Sequence, residues 1–557
     1  MTAGLSPTGY AGWSVILGPP GTGKTTRLLD LLGDELGRGT APARIAFVSF
    51  TKAARLEAAG RVERQFGLGK DDLPWLRTIH SAAYRLLDVR KGQLMTRRAW
   101  REFAETFHYR LTDAQDVGED GGDAPVEPPR RSGDDLLRYV YEWGRNRRLD
   151  VDRSMGRCPV NVPAPQFRNF ARRMETFKSQ KGLLDFADLL DHVIEEGLRP
   201  DVDVAFVDEC QDLSPLQIAV VERWFAPCER VYAAGDDDQA VYSFQGAAPE
   251  WLIELSQRCP TTILTLSHRV PGPVHALAQR IIRRNRARVP KDYAPASVDG
   301  QVLRLAREQA VALIDGATDT LVLARNRMFL QPIARALFDR RVPYVVEGLG
   351  GVSPLSSRRV IAGVRAAHAL ARGEGVAADG LRALLALIPS RGVGLLPHGV
   401  KARAKECKGT IAFAEIRDVL GLAALIDAIR RGGPASVLLK LRPAYRTYFQ
   451  ALLDSHGDVP NPRVRLTSIH AAKGREADLV VVLPDMTRAT YVEYLDGARG
   501  GNEAENRVAY VAVTRAKRRL VLVQPTTQRH YHYPSAAACG ACEGQGKEAR
   551  DEAIAQT

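Results

Sequence analysis

The stretch "SVILGPPGTGKTTRLLDLLGDEL" (residues 14–36) combines a predicted strand, a glycine-rich turn and a predicted helix. An apolar run typical of a buried strand leads into the pattern G-x-x-x-x-G-K-[ST], from Gly18 to Thr25, and a helical pattern follows. Glycines allow backbone N–H groups to face phosphate oxygens, Lys24 reaches the β and γ oxygens, and the Thr25 hydroxyl can bind magnesium. We therefore predict a nucleotide-phosphate loop here; the alternative is a glycine-rich turn that binds nothing.

Similar apolar runs recur along the chain in two sets. The first set is "SVIL" at 14, "IAFVSF" at 45, "VAFVDE" at 204, "VYAAGD" at 231 and "TILTL" at 262; the second is "TLVLAR" at 320, "VRLTSI" at 464, "DLVVVL" at 478 and "RLVLV" at 519. Strands without polar alternation, separated by helices, are typical of parallel sheets covered on both faces. The predicted fold class is α/β, with two parallel-sheet domains that each contain a mainly helical insertion.

The predicted domain boundaries follow from these two sets and the gaps inside them. They are 1–87 and 185–270 for the first sheet domain, 88–184 for its insertion, 271–351 and 461–528 for the second sheet domain, 352–460 for its short insertion, and 529–557 for a C-terminal tail. A Gly-, Pro- and acid-rich segment at 116–135 predicts a mobile loop in the first insertion.

Composition narrows the choice of partners and compartment. The 557 residues exceed one core, and Lys plus Arg outnumber Asp plus Glu by 78 to 65, a formal charge of +13. This charge favours a polyanionic partner, although a basic protein without one is the alternative. Seven scattered cysteines predict a reducing compartment and a cytoplasmic protein, and no apolar run is long enough to predict a membrane span.

The block "AFVDECQD" (205–212) complements the phosphate loop, since it predicts a strand that ends in two acids. Asp208 would complete the magnesium shell, and Glu209 would orient or deprotonate the attacking water. The alternative is a simple helix cap. Two arginines, Arg269 in "LTLSHRV" and Arg515 in "AYVAVTRAK", are candidates for stabilising the transferring phosphoryl group, although as lone arginines they would be surface residues.

Nine blocks in this order resemble the superfamily 1 DNA helicases of the UvrD/Rep/PcrA branch, over about residues 14–525. They are "GPPGTGKT" (18–25), "FVSFTKAA" (47–54), "RTIHSAAYRLL" (77–87), "DFADLL" (185–190), "VDECQDLSPLQ" (207–217), "GDDDQAVYSFQGA" (235–247), "LTLSHRV" (264–270), "VRLTSIHAAKGREAD" (464–478) and "NRVAYVAVTRAKRRL" (506–520). The resemblance implies two RecA-like domains that close on ATP, and ATP-dependent stepping along single-stranded DNA with 3′ to 5′ polarity and duplex unwinding.

The resemblance also assigns residues. It implies catalytic roles for Lys24, Glu209, Gln239, Arg269 and Arg515. Nucleotide contacts fall on Gly18, Gly21, Thr22, Gly23, Lys24, Thr25, Thr26, His268, Gly474 and Glu476, and magnesium on Thr25 and Asp208. DNA contacts fall on Phe50, Thr51, Arg77, His80, Tyr242, Phe244, Arg391 and His470, with Lys473 in the block that couples DNA to nucleotide.

Several assignments keep an alternative. Tyr242 and Phe244 would face bases, or would be core residues of a following helix; Asp236 to Asp238 would cap or solvate the turn. His80 and His470 as metal ligands are a weaker interpretation, because no paired ligand lies nearby. Arg391 lies in "LIPSRGVG" (387–394), which resembles the family's duplex-contacting turn and equally fits a helix connection.

This sequence departs from the family at three places. The upstream glutamine segment that reads adenine has no counterpart in the 17 residues before Gly18, His268 stands where a tyrosine is usual, and Gln245 replaces an arginine. Selectivity for ATP over other nucleotides is therefore left open.

The tail holds His530, His532, Cys539 and Cys542, which suffice for one zinc, although an unstructured tail is the favoured interpretation. The predicted partners are single-stranded DNA, junctions of single- and double-stranded DNA, and repair or replication proteins, without a membrane. The alternative functions are an ATP-gated DNA-binding or nucleoprotein-remodelling protein that does not unwind, and a nucleotide kinase, which would leave the later blocks unexplained.

Overall fold

The computed structural model describes residues 7–111, 133–347, 353–390, 392–497 and 500–535. The chain forms two compact units. The first contains the chain up to Asp299, Val492–Thr514 and the chain from His532; the second contains Gly300–Tyr491 and Arg515–Tyr531.

Sixteen strands lie within the described residues. They are β1 Trp13–Leu17, β2 Ile45–Ser49, β3 Trp75–Thr78, β4 Val204–Asp208, β5 Arg230–Gly235, β6 Thr261–Ile263, β7 Leu266–Pro271, β8 Ala294–Ala296, β9 Gln301–Leu305, β10 Thr320–Ala324, β11 Tyr344–Val346, β12 Val376–Ala377, β13 Thr410–Ile411, β14 Val464–Ser468, β15 Ala477–Leu483 and β16 Ala516–Val523.

Twenty α-helices accompany them in the same part of the chain. They are α1 Lys24–Gly37, α2 Lys52–Phe66, α3 Ile79–Leu86, α4 Arg97–Phe107, α5 Asp134–Asn146, α6 Val151–Arg157, α7 Ala164–Lys181, α8 Phe186–Glu195, α9 Pro215–Phe225, α10 Glu250–Arg258, α11 Gly272–Ile282, α12 Arg307–Ala312, α13 Leu330–Asp339, α14 Arg358–Ala371, α15 Ala378–Ala386, α16 Val400–Glu406, α17 Ala423–Gly432, α18 Pro443–His456, α19 Arg488–Leu495 and α20 Gly501–Val513.

The first unit is built on a six-stranded parallel sheet in the order β3-β2-β4-β5-β1-β6. Alternate residues of its strands enter two different apolar cores, one shared with α8, α9 and α10 and the other with α1 and α2. The strands lack polar alternation because both faces of the sheet are covered. This is the arrangement that the apolar runs predict.

The second unit contains another six-stranded parallel sheet, in the order β11-β14-β10-β15-β16-β9. The predicted α/β class with two parallel sheets is therefore confirmed. Three strands of these two six-stranded sheets escaped the sequence analysis, namely β3, β9 and β11. Each lies at the edge of its sheet, where one side is unpaired and the continuous apolar signature is weaker.

Two helical regions interrupt the sheets and have apolar cores of their own. In the first, α4, α5 and α7 pack around Trp100, Phe103, Phe167 and Phe170. In the second, α14 to α18 surround a separate cluster that includes Leu381 and Phe449. Most of the loop predicted at 116–135 lies outside the described residues.

The compact units differ from the predicted domains at two places. The segment 271–299 and the helix α20, both assigned to the second sheet domain, belong to the first unit. Asn285 shows the physical reason, since its Nδ2 donates to the carbonyl of Glu503 at 2.9 Å and its Oδ1 accepts from Asn506 at 2.8 Å. None of the described helices combines the length and the apolar character that a bilayer span requires.

Candidate functional site

The carboxyl edge of the first sheet gathers five of the sequence blocks. In the strand register Leu17 lies beside Gly235, and Ser49 lies beside both Asp208 and Thr78. One or two residues beyond these strand ends lie Gly18, Phe50, His80, Glu209 and Asp236. Parallel α/β sheets bind ligands at this edge, so the edge defines the candidate site.

The phosphate loop joins β1 to α1 in a conformation that needs glycine. Gly21 and Gly23 have φ of +75° and +83°, and a Cβ on Gly18 would lie 2.0 Å from Cγ of Lys24. Lys24 Nζ lies 3.1 Å from the Gly18 carbonyl oxygen, within the loop. The Thr22 hydroxyl donates to Pro19 at 2.8 Å, and that of Thr26 accepts from Arg61 at 2.7 Å. The loop thus has the glycine geometry and the central ammonium that a phosphate requires.

Asp208 and Thr25 form the part of the site that fits a divalent cation. The Thr25 hydroxyl donates to Oδ2 of Asp208 at 3.2 Å, and Asp208 is 2% exposed. Burial, and then the neighbouring Glu209 carboxylate, raise the pKa of Asp208 to about 7. A buried carboxylate that is costly to ionise, beside a hydroxyl and at a phosphate loop, suits magnesium, which takes hard oxygen ligands together with substrate phosphates.

Glu209 follows Asp208 in a strained backbone conformation, with φ +58° and ψ +41°. Residues other than glycine adopt this region rarely and at a cost, and such strain is often found at functional sites. The Oε2 of Glu209 accepts a short hydrogen bond from the side-chain amide of Gln211, whose Oε1 accepts from the backbone N–H of Asp236 at 2.9 Å. Gln211 is fully buried, and sequence reasoning gave it no role.

Gln239 lies in a short 3-10 turn after β5, and its side chain is fixed from within the turn. Its Nε2 donates to Oδ2 of Asp236 at 2.7 Å. The expectation that Asp236 to Asp238 solvate the turn is wrong, because the three side chains are 0–1% exposed and lie against buried cations. Asp236 does cap the turn through the N–H of Asp238, at 3.3 Å.

Strand β7 lies directly against the phosphate loop. The Ser267 hydroxyl donates to Pro20 at 2.8 Å, and the His268 N–H donates to the Gly21 carbonyl at 2.8 Å. His268 is exposed and Arg269 is half-buried. Arg269 therefore lies in the first unit, next to the phosphate loop.

We expect Gly21→Ala to weaken ATP binding much more than Gly23→Ala. Both glycines have positive φ, which costs an L-residue about 1–2 kcal/mol, but only at Gly21 does an added Cβ meet β7, 2.6 Å from Cβ of Arg269. At Gly23 the nearest atom is 3.7 Å away. Titration with a fluorescent ATP analogue and thermal unfolding of both variants would check this. Equal losses of affinity would show that backbone strain alone matters.

The predicted DNA-contacting rings lie together beyond β2 and β5. The ring centroid of Tyr242 lies 5.5 Å from that of Phe50 and 6.1 Å from that of Phe244. Tyr242 is 4% exposed, whereas Phe50 and Phe244 are half-buried. The Thr51 hydroxyl caps α2 by accepting from Ala54 N–H at 3.1 Å. Tyr242 is thus packed as a core residue here, and base contact by these residues stays a prediction.

Arg77 and His80 lie at the end of β3 and the start of α3. Arg77 Nε donates to Pro74 at 2.7 Å, and its NH1 donates to Ser81 at 3.1 Å. The half-buried His80 ring makes an edge-to-face contact with Phe186 at 5.6 Å. Burial lowers the pKa of His80 to about 4, against the opposing effect of Asp185. A neutral ring at neutral pH would contact DNA without a charge.

The His80 pKa predicts an acid-dependent loss of stability. Below the ordinary histidine pKa of 6.5 the unfolded chain takes up a proton that the folded chain refuses until about pH 4. As the pH is lowered from 6.5 to about 4, the free energy of unfolding of the wild type should therefore decrease. The decrease should exceed that of His80→Gln by up to about 3 kcal/mol. Denaturant unfolding at several pH values would measure this. The exposed-site variant His398→Gln should track the wild type; an identical slope for His80→Gln would contradict the burial account.

Two family models match the chain across both sheets. The UvrD/REP helicase N-terminal domain matches residues 6–260, and the UvrD-like helicase C-terminal domain matches residues 448–526. Together they span more than half of the chain. The chain belongs to the UvrD/Rep helicase family. The first match contains the phosphate loop, the acid pair and Gln239, and the second contains the blocks around His470 and Arg515.

Curated relatives extend this family likeness over nearly the whole chain. A putative ATP-dependent DNA helicase, YjcD of Bacillus subtilis, is 24% identical over 92% of this chain and 77% of its own length. ATP-dependent DNA helicase UvrD2 of Mycobacterium tuberculosis is 26% identical over 91% and 76%. DNA helicase II of Escherichia coli is 22% identical over 94% and 84%.

Among solved structures, an arterivirus nonstructural protein 10 helicase is 11% identical, with a TM-score of 0.32. It aligns over 94% of this chain and 61% of its own length. A likeness this low leaves the fold to be described from the two sheets of this chain.

His470 and Arg515, from two UvrD/Rep blocks, lie in the second unit, the first after β14 and the second directly before β16. His470 is 2% exposed beyond β14, and burial together with the Arg325 and Arg327 guanidinium groups holds its pKa well below the usual range. Arg515, 1% exposed, donates from NH1 to the Arg475 carbonyl at 3.3 Å. Sequence reasoning missed the Arg325 and Arg327 pair, although "LVLARNR" places both directly after β10.

Gly474 and Glu476 lie between β14 and β15. Gly474 has φ +78°, and the space around a Cβ there is open. The Glu476 carbonyl accepts from Arg465 at 3.4 Å. Lys473 N–H donates to His470 at 3.2 Å. Ribose or phosphate contact by these residues stays a prediction.

The predicted DNA contact Arg391 lies outside the described residues, as do the predicted zinc ligands Cys539 and Cys542. His530 lies within them, and its Nδ1 is 2.9 Å from the Thr527 carbonyl oxygen. The described part of the chain contains no group of three His, Cys, Asp or Glu placed to hold a metal. The described residues therefore give no support to a zinc site in the tail. They give none to His80 or His470 as metal ligands either.

Proposed function

We propose that the chain is an ATP-dependent translocase on single-stranded DNA and a DNA helicase, with 3′ to 5′ polarity. One observation carries the proposal. A phosphate loop, an acid pair, a sensor glutamine and an aromatic cluster lie together at the carboxyl ends of the strands of the first sheet. The chain's membership of the UvrD/Rep family supports the same conclusion. So do its relatives that are named ATP-dependent DNA helicase and DNA helicase II.

The residues of the first unit divide the chemistry of hydrolysis among themselves. Glu209, held by Gln211, accepts the proton of the attacking water, and Lys24 and Arg269 stabilise charge on the phosphoryl group. Gln239 faces the γ-phosphate with its amide held by Asp236. Arg515 is the other candidate arginine. Magnesium, which Thr25 and Asp208 would hold, neutralises charge on the β- and γ-phosphates.

Magnitudes explain why strand separation needs ATP. Stacking a base on an aromatic side chain is worth about 1–3 kcal/mol, and opening one base-pair step costs about 1.4 kcal/mol. Binding can therefore capture a frayed base, but an equilibrium grip has no direction. Tyr242 and Gln239 are three residues apart in one block, so a shift at the γ-phosphate can alter the strand contact and give hydrolysis a mechanical output.

A strand-displacement assay tests unwinding and polarity together. Wild-type protein with ATP and magnesium should release a labelled strand from a duplex with a 3′ single-stranded tail. It should release little from a 5′-tailed or blunt duplex. Release only from the 5′ tail would refute the polarity. DNA-stimulated ATP hydrolysis without release from either substrate would favour an ATP-gated DNA-binding or nucleoprotein-remodelling protein.

The proposed partners are single-stranded DNA, single-to-double-strand junctions, and proteins of repair or replication. The net charge of +13 supports a polyanionic partner. The proposed location is the cytoplasm, and the five cysteines in the described residues, all free of disulfides, fit a reducing compartment.

A further inference from the structure

A buried ion cluster lies behind the sensor glutamine, and two of its cations, Lys291 and Arg288, lie outside the sequence blocks already assigned. Lys291 is 2% exposed, in the segment between α11 and β8 of the first unit. Its Nζ lies 3.2 Å from Asp236, 3.0 Å from Asp238 and within a short hydrogen bond of Asp237. One ammonium is thus shared by three buried carboxylates.

Two arginines complete the cluster. Arg288 donates from Nε and NH2 to the two oxygens of Asp238, at 2.8 and 2.7 Å. Arg507 donates from Nε to the Asp237 carbonyl at 3.1 Å. Burial alone would raise the pKa of Asp238, but Lys291 and Arg288 hold it below the usual range. Three buried carboxylates without such partners would repel one another and lose their positions.

Asp236 connects this cluster to the reacting end of the site. Its Oδ1 faces Lys291, while its Oδ2 accepts from Gln239 Nε2 at 2.7 Å. Its backbone N–H donates to Gln211 Oε1 at 2.9 Å, and the Gln211 amide donates to Glu209. A displacement of Asp236 would therefore reach both the sensor amide and the carboxylate assigned to water activation.

We propose that Lys291 is a positioning residue for ATP hydrolysis, because it fixes the Asp236 carboxylate that orients Gln239. This rests on the proposed function of the phosphate-loop site. Lys291 lies behind Asp236 and acts on the reaction only through it. Its contribution is to rate, since misplacing reacting groups by about 1 Å can cost about 100-fold, whereas the phosphate loop that binds nucleotide stays in place.

Lys291→Met tests this with a split between kcat and KM. The change removes the ammonium and keeps most of the side-chain volume. We expect kcat for DNA-stimulated ATP hydrolysis to fall about 10- to 100-fold while KM for ATP changes little, which is the pattern of an interaction lost only in the transition state. A wild-type kcat, or a loss confined to KM, would overturn the proposal.

Two further variants separate positioning from folding. In Lys291→Met/Asp237→Asn a carboxylate is removed with the cation, so thermal stability should recover while kcat stays low; recovery of both would make Lys291 a charge neutraliser only, and overturn the proposal. Lys178→Met is the matched control, because Lys178 is 3% exposed and its Nζ is 2.8 Å from Asp185 and Asp188, in a different cluster of the first unit.

In an assay without DNA applied to both variants, Lys178→Met should lose stability but keep kcat per folded molecule, whereas Lys291→Met should lose kcat. An equal loss of kcat in Lys178→Met would show that destabilisation explains the Lys291 effect, and so would overturn the proposal. A different result would refute the proposed function itself, namely the absence of ATP hydrolysis by wild-type protein in the presence of single-stranded DNA.

Discussion

Glu209→Gln is expected to lower kcat for ATP hydrolysis by about 100- to 10,000-fold while leaving ATP affinity nearly unchanged. The amide cannot accept a proton from water, yet it has the size of the carboxylate and can still contact Gln211. The neighbouring Asp208, Thr25 and Lys24, which would bind metal and phosphate, are untouched. Steady-state turnover and fluorescent-nucleotide binding on the same preparation would separate the two effects.

The control for this variant is Glu35→Gln. Glu35 is another fully buried carboxylate of the first unit, bound by Tyr232 at 2.7 Å and by Arg230 at 3.0 Å, close to the opposite end of α1 from the phosphate loop. It should lose stability and keep turnover per folded molecule. If Glu209→Gln retained more than about a tenth of wild-type kcat, another group would be the base.

Arg269→Ala is expected to reduce kcat by about 1,000-fold or more, because arginines that stabilise the transferring phosphoryl group contribute about 10³–10⁵ in rate. Its strand β7 is held to the phosphate loop by Ser267 and His268, which brings the guanidinium stem to within contact of Gly21. Arg269→Lys should recover little activity, since an ammonium lacks the planar fork that binds two phosphate oxygens.

Arg283→Ala provides the comparison for Arg269. Arg283 follows α11 in the same unit, and its side chain is 67% exposed. Its removal should leave kcat and KM within experimental error of the wild type. A similar small effect of Arg269→Ala would assign phosphoryl stabilisation to other cations, such as Lys24 and Arg515.

The fold was predictable where the physics is local. Continuous apolar runs identified nine of the strands, because a parallel strand buried on both faces needs apolar residues at every position. Strands at the sides of a sheet carry this pattern less continuously, and β3, β9 and β11 were missed there, although the side strand β6 was identified. Packing of α20 with the first unit depends on contacts such as Asn506 with Asn285, which are 221 residues apart in sequence. No local pattern predicts such a pairing.

The residues of the candidate site were likewise predictable where local spacing identifies them, and were missed where their partners are distant in sequence. Lys24, Thr25, Asp208 and Glu209 were assigned from spacing, and the structure brings them together at the edge of the sheet. Lys291 and Arg288 were missed, because a cation at the end of an arginine-rich stretch looks like a solvated surface residue until its distant carboxylates are known. The burial of Asp236 to Asp238 against these cations was missed for the same reason.

We propose that this protein converts ATP hydrolysis into directional movement along single-stranded DNA. The most direct test is the rate of ATP hydrolysis by the wild type on single strands of increasing length, at equal concentrations of binding sites. A translocase should show activation that rises with length, because a longer strand delays dissociation at its end. Activation that is constant once one binding site is filled would contradict translocation, and hydrolysis indifferent to DNA would contradict the motor itself.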